Sequence, residues 1–127
     1  MYGVKFNFFI GDTYNRNFNI KKYSDPISEI YFTVKKNNSD KNFVLQKTLD
    51  NGITLCDVVY EDDKIVKRTY NILISPSDTE SMKPEVEYPF DVEIITPVTN
   101  GEDIHQTIIT GNCILTNATT RAYNEGE

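Results

Sequence analysis

Apolar residues return at every second position in stretch after stretch of this chain, and the three-to-four spacing of an amphipathic helix is nearly absent. Val4, Phe6, Phe8 and Ile10 alternate with Lys5 and Asn7. Phe18 and Ile20 alternate with Asn17, Asn19 and Lys21. Ile30, Phe32 and Val34 share one face, and Tyr31, Thr33 and Lys35 share the other. The pattern continues through Phe43, Leu45 and Leu49, then Ile53 to Tyr60, Tyr70 to Ile74, Tyr88 to Ile94, and Ile104 to Thr116. Successive side chains of a strand point to opposite faces, so each run predicts a half-buried strand. The parity slips near Ile108 and Ile109, which predicts a bulge there. The ambiguous alternation of Ile53 to Tyr60 predicts either burial on both faces or a second bulge.

Turn chemistry separates the runs. Gly11-Asp12, Ser24-Asp25-Pro26, Lys36 to Asp40, Glu61-Asp62-Asp63 and Pro97 to Asp103 all read as turns or loops. Asn51-Gly52, between two apolar runs, predicts a tight hairpin. Ser75 before Pro76, with Asp78 and Glu80 behind them, fits a capped helix start, and Pro84 limits the segment to one or two turns. The expected fold is all-β. It is an immunoglobulin-like antiparallel β-sandwich of about seven to eight strands, with one short helical turn near Pro76–Met82. Its 127 residues suit one domain over positions 1–116 with a polar tail at 117–127.

Charge narrows the partners. The net charge is -6, from 19 acidic and 13 basic residues. Phosphate recognition needs a basic stripe, so nucleic acid is not expected. Anionic membrane is disfavoured by the same repulsion. The segment from Met1 to Ile10 carries Lys5 and Asn7 and lacks a small-residue cleavage site, so it does not read as a signal peptide. Synthesis in a bacterial cytoplasm is the expectation, and it favours reduced thiols. Cys56 and Cys113 each sit in an apolar run and read as two free core residues.

Catalytic and metal constellations are not expected. His105 is the sole histidine. Its eight-residue separation from Cys113 along one strand is about 26 Å, too far for a nucleophile–base pair. The Glu61-Asp62-Asp63 turn lacks the six to eight oxygens of a calcium site and reads as a solvated turn. No phosphate-cradling glycine loop occurs, so no cofactor is expected. Binding is therefore the expected activity. Phe9 lies on the face opposite Phe6 and Phe8, and Tyr2 and Tyr14 fall off the core pattern. Those three aromatics form the candidate interface. The first strand, near the N-terminus, is the expected open edge for strand addition.

The order of these signals resembles the phage baseplate upper protein N-terminal family and its relatives in tail and neck modules. The resemblance is carried by Ile10-Gly11-Asp12-Thr13, followed by Phe18 and Ile20, and by the strand Ile30, Phe32, Val34, Lys35 after Pro26. It continues through Asp78-Thr79 with Met82, the strand Tyr88-Pro89-Phe90-Asp91-Val92-Glu93-Ile94, and Thr107-Ile108 to Gly111, Cys113 and Leu115. The family's Gly-x-Tyr is replaced by Pro84-Glu85-Val86-Glu87-Tyr88. The resemblance implies a non-enzymatic virion structural protein of the tail, baseplate or neck, in contact with other virion proteins or itself. The alternative class is a carbohydrate- or receptor-binding sandwich that recognises a bacterial cell surface.

Overall fold

The computed structural model describes residues 3–116. Eight strands follow in chain order: β1 (Val4–Phe9), β2 (Tyr14–Lys21), β3 (Glu29–Val34), β4 (Leu45–Leu49), β5 (Gly52–Glu61), β6 (Lys64–Ile74), β7 (Glu87–Thr96) and β8 (Ile104–Thr116). They hydrogen-bond in the order β1-β8-β7-β3-β4-β5-β6-β2. The expected all-β sandwich is present, with all eight strands linked in one order, but its pairing is not antiparallel throughout: β1–β8 and β4–β5 are parallel. One layer is β1-β8-β7-β3-β4 and the other is β5-β6-β2. The layers are stitched at a corner where Thr48 pairs with Gly52 and Leu49 with Ile53.

That corner corrects one expectation. Asn51-Gly52 does not close a hairpin, because β4 and β5 pair in parallel over only these two positions. Asp50 and Gly52 take positive φ, at 67° and 100°, and Asn51 does not. A two-residue hairpin turn needs its positive angles at adjacent central positions. Here the chain uses them to step between layers. The true hairpin of two left-handed residues is Asp62-Asp63, at 50° and 64°, between β5 and β6.

The core is the set of inward residues that the alternation picks out. Ile30, Phe32 and Val34 of β3 face Tyr88, Phe90, Val92 and Ile94 of β7, and all are buried. Phe6 stacks on Phe90 with ring centres 4.8 Å apart, and Phe32 lies 5.3 Å from the same ring. Aromatic pairs of this kind add about 0.5–1.5 kcal/mol beyond their area burial. Both bulges are present. Val92 pairs with Ile109 and Glu93 with Thr107, leaving Ile108 as the extra residue. Leu55 pairs with Tyr70 and Asp57 with Thr69, leaving Cys56. Cys56 is consequently turned to solvent, which overturns its assignment to the core, whereas Cys113 is fully buried. Phe43 lies ahead of β4 and is exposed, since the chain is still in the loop at that point.

The helical segment is a 3-10 turn, Pro76–Thr79. The Asp78 carboxylate accepts from the Ser75 N–H at 2.7 Å and from its hydroxyl at 2.9 Å. Lys47 Nζ of β4 lies 2.7 Å from the same carboxylate and ties the turn to the sheet. Arg68, only 5% exposed, donates to the carbonyls of Tyr23 at 2.8 Å and Asp25 at 2.7 Å. A buried cation is tolerated only when hydrogen-bonded, and these two bonds fasten the β2–β3 loop to β6.

Candidate assembly surface

The two ends of the hydrogen-bond order are β1 and β2, which follow each other in sequence. They are joined by residues 10–13 alone. The sandwich curls so that the two edges face each other without bonding. Between them lies a groove of about 700 Å³ lined from both sides, by Val4 and Phe6 of β1 and by Arg16 to Lys21 of β2. Ile72 contributes from β6, and Ile108 and Ile109 line it from β8. The groove exists because β1 pairs with β8 only from Gly111 onward, so it runs on past Val4 along the first half of β8.

Gly111 makes the β1 contact possible. A Cβ at this position would stand 1.9 Å from the Val4 carbonyl oxygen and 2.9 Å from the Phe90 ring. The backbone of β1 thus comes as close to β8 as a missing side chain allows.

The inward face of β2 carries Tyr14, Arg16, Phe18 and Ile20. Tyr14 packs on Phe6 at 5.6 Å and edge-on to Phe8 at 4.6 Å. The Arg16 guanidinium lies over both the Phe6 and Tyr14 rings, at 5.5 and 5.9 Å, and donates to the Tyr14 hydroxyl at 2.7 Å. Burial pushes the Tyr14 phenol above its ordinary pKa, and Arg16 offsets part of that rise. The outward face is an asparagine ladder. Asn71 donates to Asn15 and Asn17, and Thr69 donates to Asn19.

Of the three aromatics of the sequence reading, the two that lie within the described residues, Phe9 and Tyr14, are not gathered into one patch. Phe9 stands on the outward face at the end of β1 with 46% of its surface exposed. Tyr14 has moved to the core margin beside Phe6 and Phe8, on the opposite face from Phe9. Tyr2 lies outside the described residues. Sequence reading missed Arg16, Lys21 and Lys22. One signal was available: Arg16 sits in phase with Tyr14, Phe18 and Ile20, and an inward-pointing charge is a mark of an edge strand.

A second, shallower basin of about 360 Å³ lies on the outer face of β3, β4 and β7. Tyr31 and Phe43 border it beside Gln46, Asp91, Glu93 and Lys35. Burial and the neighbouring Glu93 raise the Asp91 pKa, against the pull of Lys35. His105 Nδ1 lies 3.7 Å from Glu93 Oε2 on a largely exposed stretch of surface. The Cys113 thiol is pushed up to about 12 by burial, so it offers no thiolate near neutral pH. Among the described residues, no group of three or more His, Cys, Asp or Glu side chains is placed to hold a metal ion. No helix there is long and apolar enough to cross a membrane.

No protein-family model matches the chain, and neither does any curated protein. Among solved structures it is similar to AggA, the major subunit of aggregative adherence fimbriae type I from Escherichia coli, at 13% identity and a TM-score of 0.39. The alignment covers 90% of this chain and 89% of that one. At that score nothing about the fimbrial subunit transfers to this chain.

Proposed function

We propose that this chain is a non-enzymatic assembly subunit, a structural protein of a phage or prophage virion in the tail, baseplate or neck, that acts through protein–protein contacts. The observation that carries the assembly reading is Phe9, a large aromatic left half in water on a strand whose outer side pairs with nothing among the described residues. Free N–H and C=O groups on such an edge invite a further strand, and an exposed aromatic beside them supplies an anchor. The virion setting rests on the sequence resemblance alone. Sedimentation velocity of the wild type against Phe9→Ser, with folding checked by circular dichroism, tests the contact. The expected result is a wild type that self-associates or binds a neighbouring gene product, and a folded variant that does neither. A monomeric wild type with no such partner, or a variant that unfolds, counts against it. Tail or baseplate genes beside this one are the expected genomic setting.

A second reading, a sandwich that binds surface carbohydrate, is favoured by the basin that places Tyr31 and Phe43 beside Gln46, Asp91 and Glu93. Sugar faces stack on aromatic rings while carboxylates and amides take the hydroxyls. Isothermal titration with bacterial surface polysaccharide, repeated on Tyr31→Ala, distinguishes the two readings.

A further inference from the structure

The groove between β1 and β2 has a chemistry of its own. Its floor is apolar, with Phe6, Phe18, Ile20 and Ile72. Its cations are Arg16, Lys21 and Lys22, and no carboxylate lines it among the described residues. This is unusual in a molecule of net charge -6. None of the three cations forms a salt bridge among the described residues, where the basic partners in ion pairs are Lys5, Lys47 and His105. Arg16 instead rests on two aromatic rings. Along the whole of this groove β2 offers an edge that pairs with no strand among the described residues, since β6 pairs only its other side.

From this juxtaposition we infer that the groove receives an extended segment of a partner chain, apolar at alternate central positions and acidic at both ends, which adds a strand to β2. The inference rests on the assembly reading, sets the added strand on the β2 side of the gap that the free edges of β1 and β2 both border, and gives it a chemistry. A residue paired across a sheet shares the face of its partner. Positions opposite Phe18 and Ile20 therefore point into the apolar floor. The position opposite Arg16 meets a guanidinium, and the one opposite Lys21 meets an ammonium. The span from Arg16 to Lys21 is about 17 Å at the rise of a strand, so six residues suffice. Main-chain bonds supply affinity in such an addition, and the alternate side chains supply selectivity. An apolar segment without acids would leave the Arg16 guanidinium, in phase with Phe18 and Ile20, beside the added strand with no counter-charge.

The test uses the full chain and a fluorescein-labelled, amidated hexapeptide, Glu-Thr-Val-Thr-Val-Glu, followed by fluorescence anisotropy. Two control peptides replace both Glu by Lys, or the central Thr by Pro, which removes a backbone donor and resists the ladder. The Glu-ended peptide is expected to bind saturably and to weaken with added salt, and each control to bind at least about tenfold more weakly. Lys21→Glu/Lys22→Glu is expected to lose about tenfold for the Glu-ended peptide, while Lys36→Glu on the β3–β4 loop leaves it unchanged. Absence of saturable binding up to about 1 mM overturns the proposal. Equal affinity for the Glu- and Lys-ended peptides, or for the Pro-interrupted one, overturns it too. The control peptides are read on wild type, so a double variant that fails to fold does not blunt the test. If the peptide fails while Phe9→Ser abolishes association, the groove proposal falls and the assembly reading stands. If the peptide binds and Phe9→Ser changes nothing, the contact belongs to the groove and not to Phe9.

Discussion

Gly111 decides how near the first strand can come to the last, and its replacement gives the sharpest prediction at the scale of one residue. The clash of an added methyl is with the Val4 carbonyl, a backbone atom that no rotamer change can move. Gly111→Ala is expected to destabilise the domain by about 1–3 kcal/mol, the usual cost of overpacking, with the loss read from urea denaturation. Amide exchange would show whether β1 is the element released: protection should fall first at residues 5–9. The two thiols make a second prediction. Cys56 is the extra residue of a bulge and faces solvent, and Cys113 is sealed in the core with its pKa raised to about 12. Native protein treated with iodoacetamide should gain a single adduct, at Cys56, and denatured protein should gain two. Rapid labelling of Cys113 in the native state would show that the β8 core is open.

Among the elements, the 3-10 turn is held to the sheet by one partly buried pair, with Lys47 and Asp78 side chains 15% and 22% exposed. Burial alone would raise the Asp78 pKa, but the hydrogen bonds from Lys47 and Ser75 outweigh it and the net shift is downward. A carboxylate whose folded pKa is depressed contributes stability above its unfolded pKa of about 3.9 and loses it as pH falls through the lower folded value. Lys47→Ala is expected to cost about 1 kcal/mol at neutral pH, and the gap from wild type should close in acid as Asp78 takes up its proton. Melting curves across the acid range check this; a gap that stays constant would assign the loss to the packing of the Lys47 stem. These local features were legible in the sequence. Ser75-Pro76 with Asp78 announces the turn, and the slipped parity at Ile108 announces the bulge, because both depend on neighbours along the chain. Asn51-Gly52 misled for the converse reason. A turn signal says that the chain reverses, not whether the next run lies beside the last one or in the other layer. Cys56 was misplaced because its bulge could be read only as one of two options. The groove was illegible because it depends on which strands end the bonding order, and that order links residues as distant as Val4 and Gly111.

For the molecule as a whole, pairing the first strand with the last has a mechanical meaning. Six residue pairs, from Val4 with Gly111 to Phe9 with Thr116, join β1 to β8, and both strands run the same way. Tension entering at Val4 and leaving at Thr116 therefore tries to slide the two strands lengthwise. All the bonds of that ladder share such a load, whereas a pull across the ladder breaks them one after another. A load applied at Val4 and Thr116 thus meets the ladder in shear. In single-molecule pulling, handles at Val4 and Thr116 should give a markedly higher unfolding force than handles at Val4 and Gly111, which are partners and would be peeled apart. Gly111→Ala should erase the difference, since the strand it dislodges is the one that bears the load.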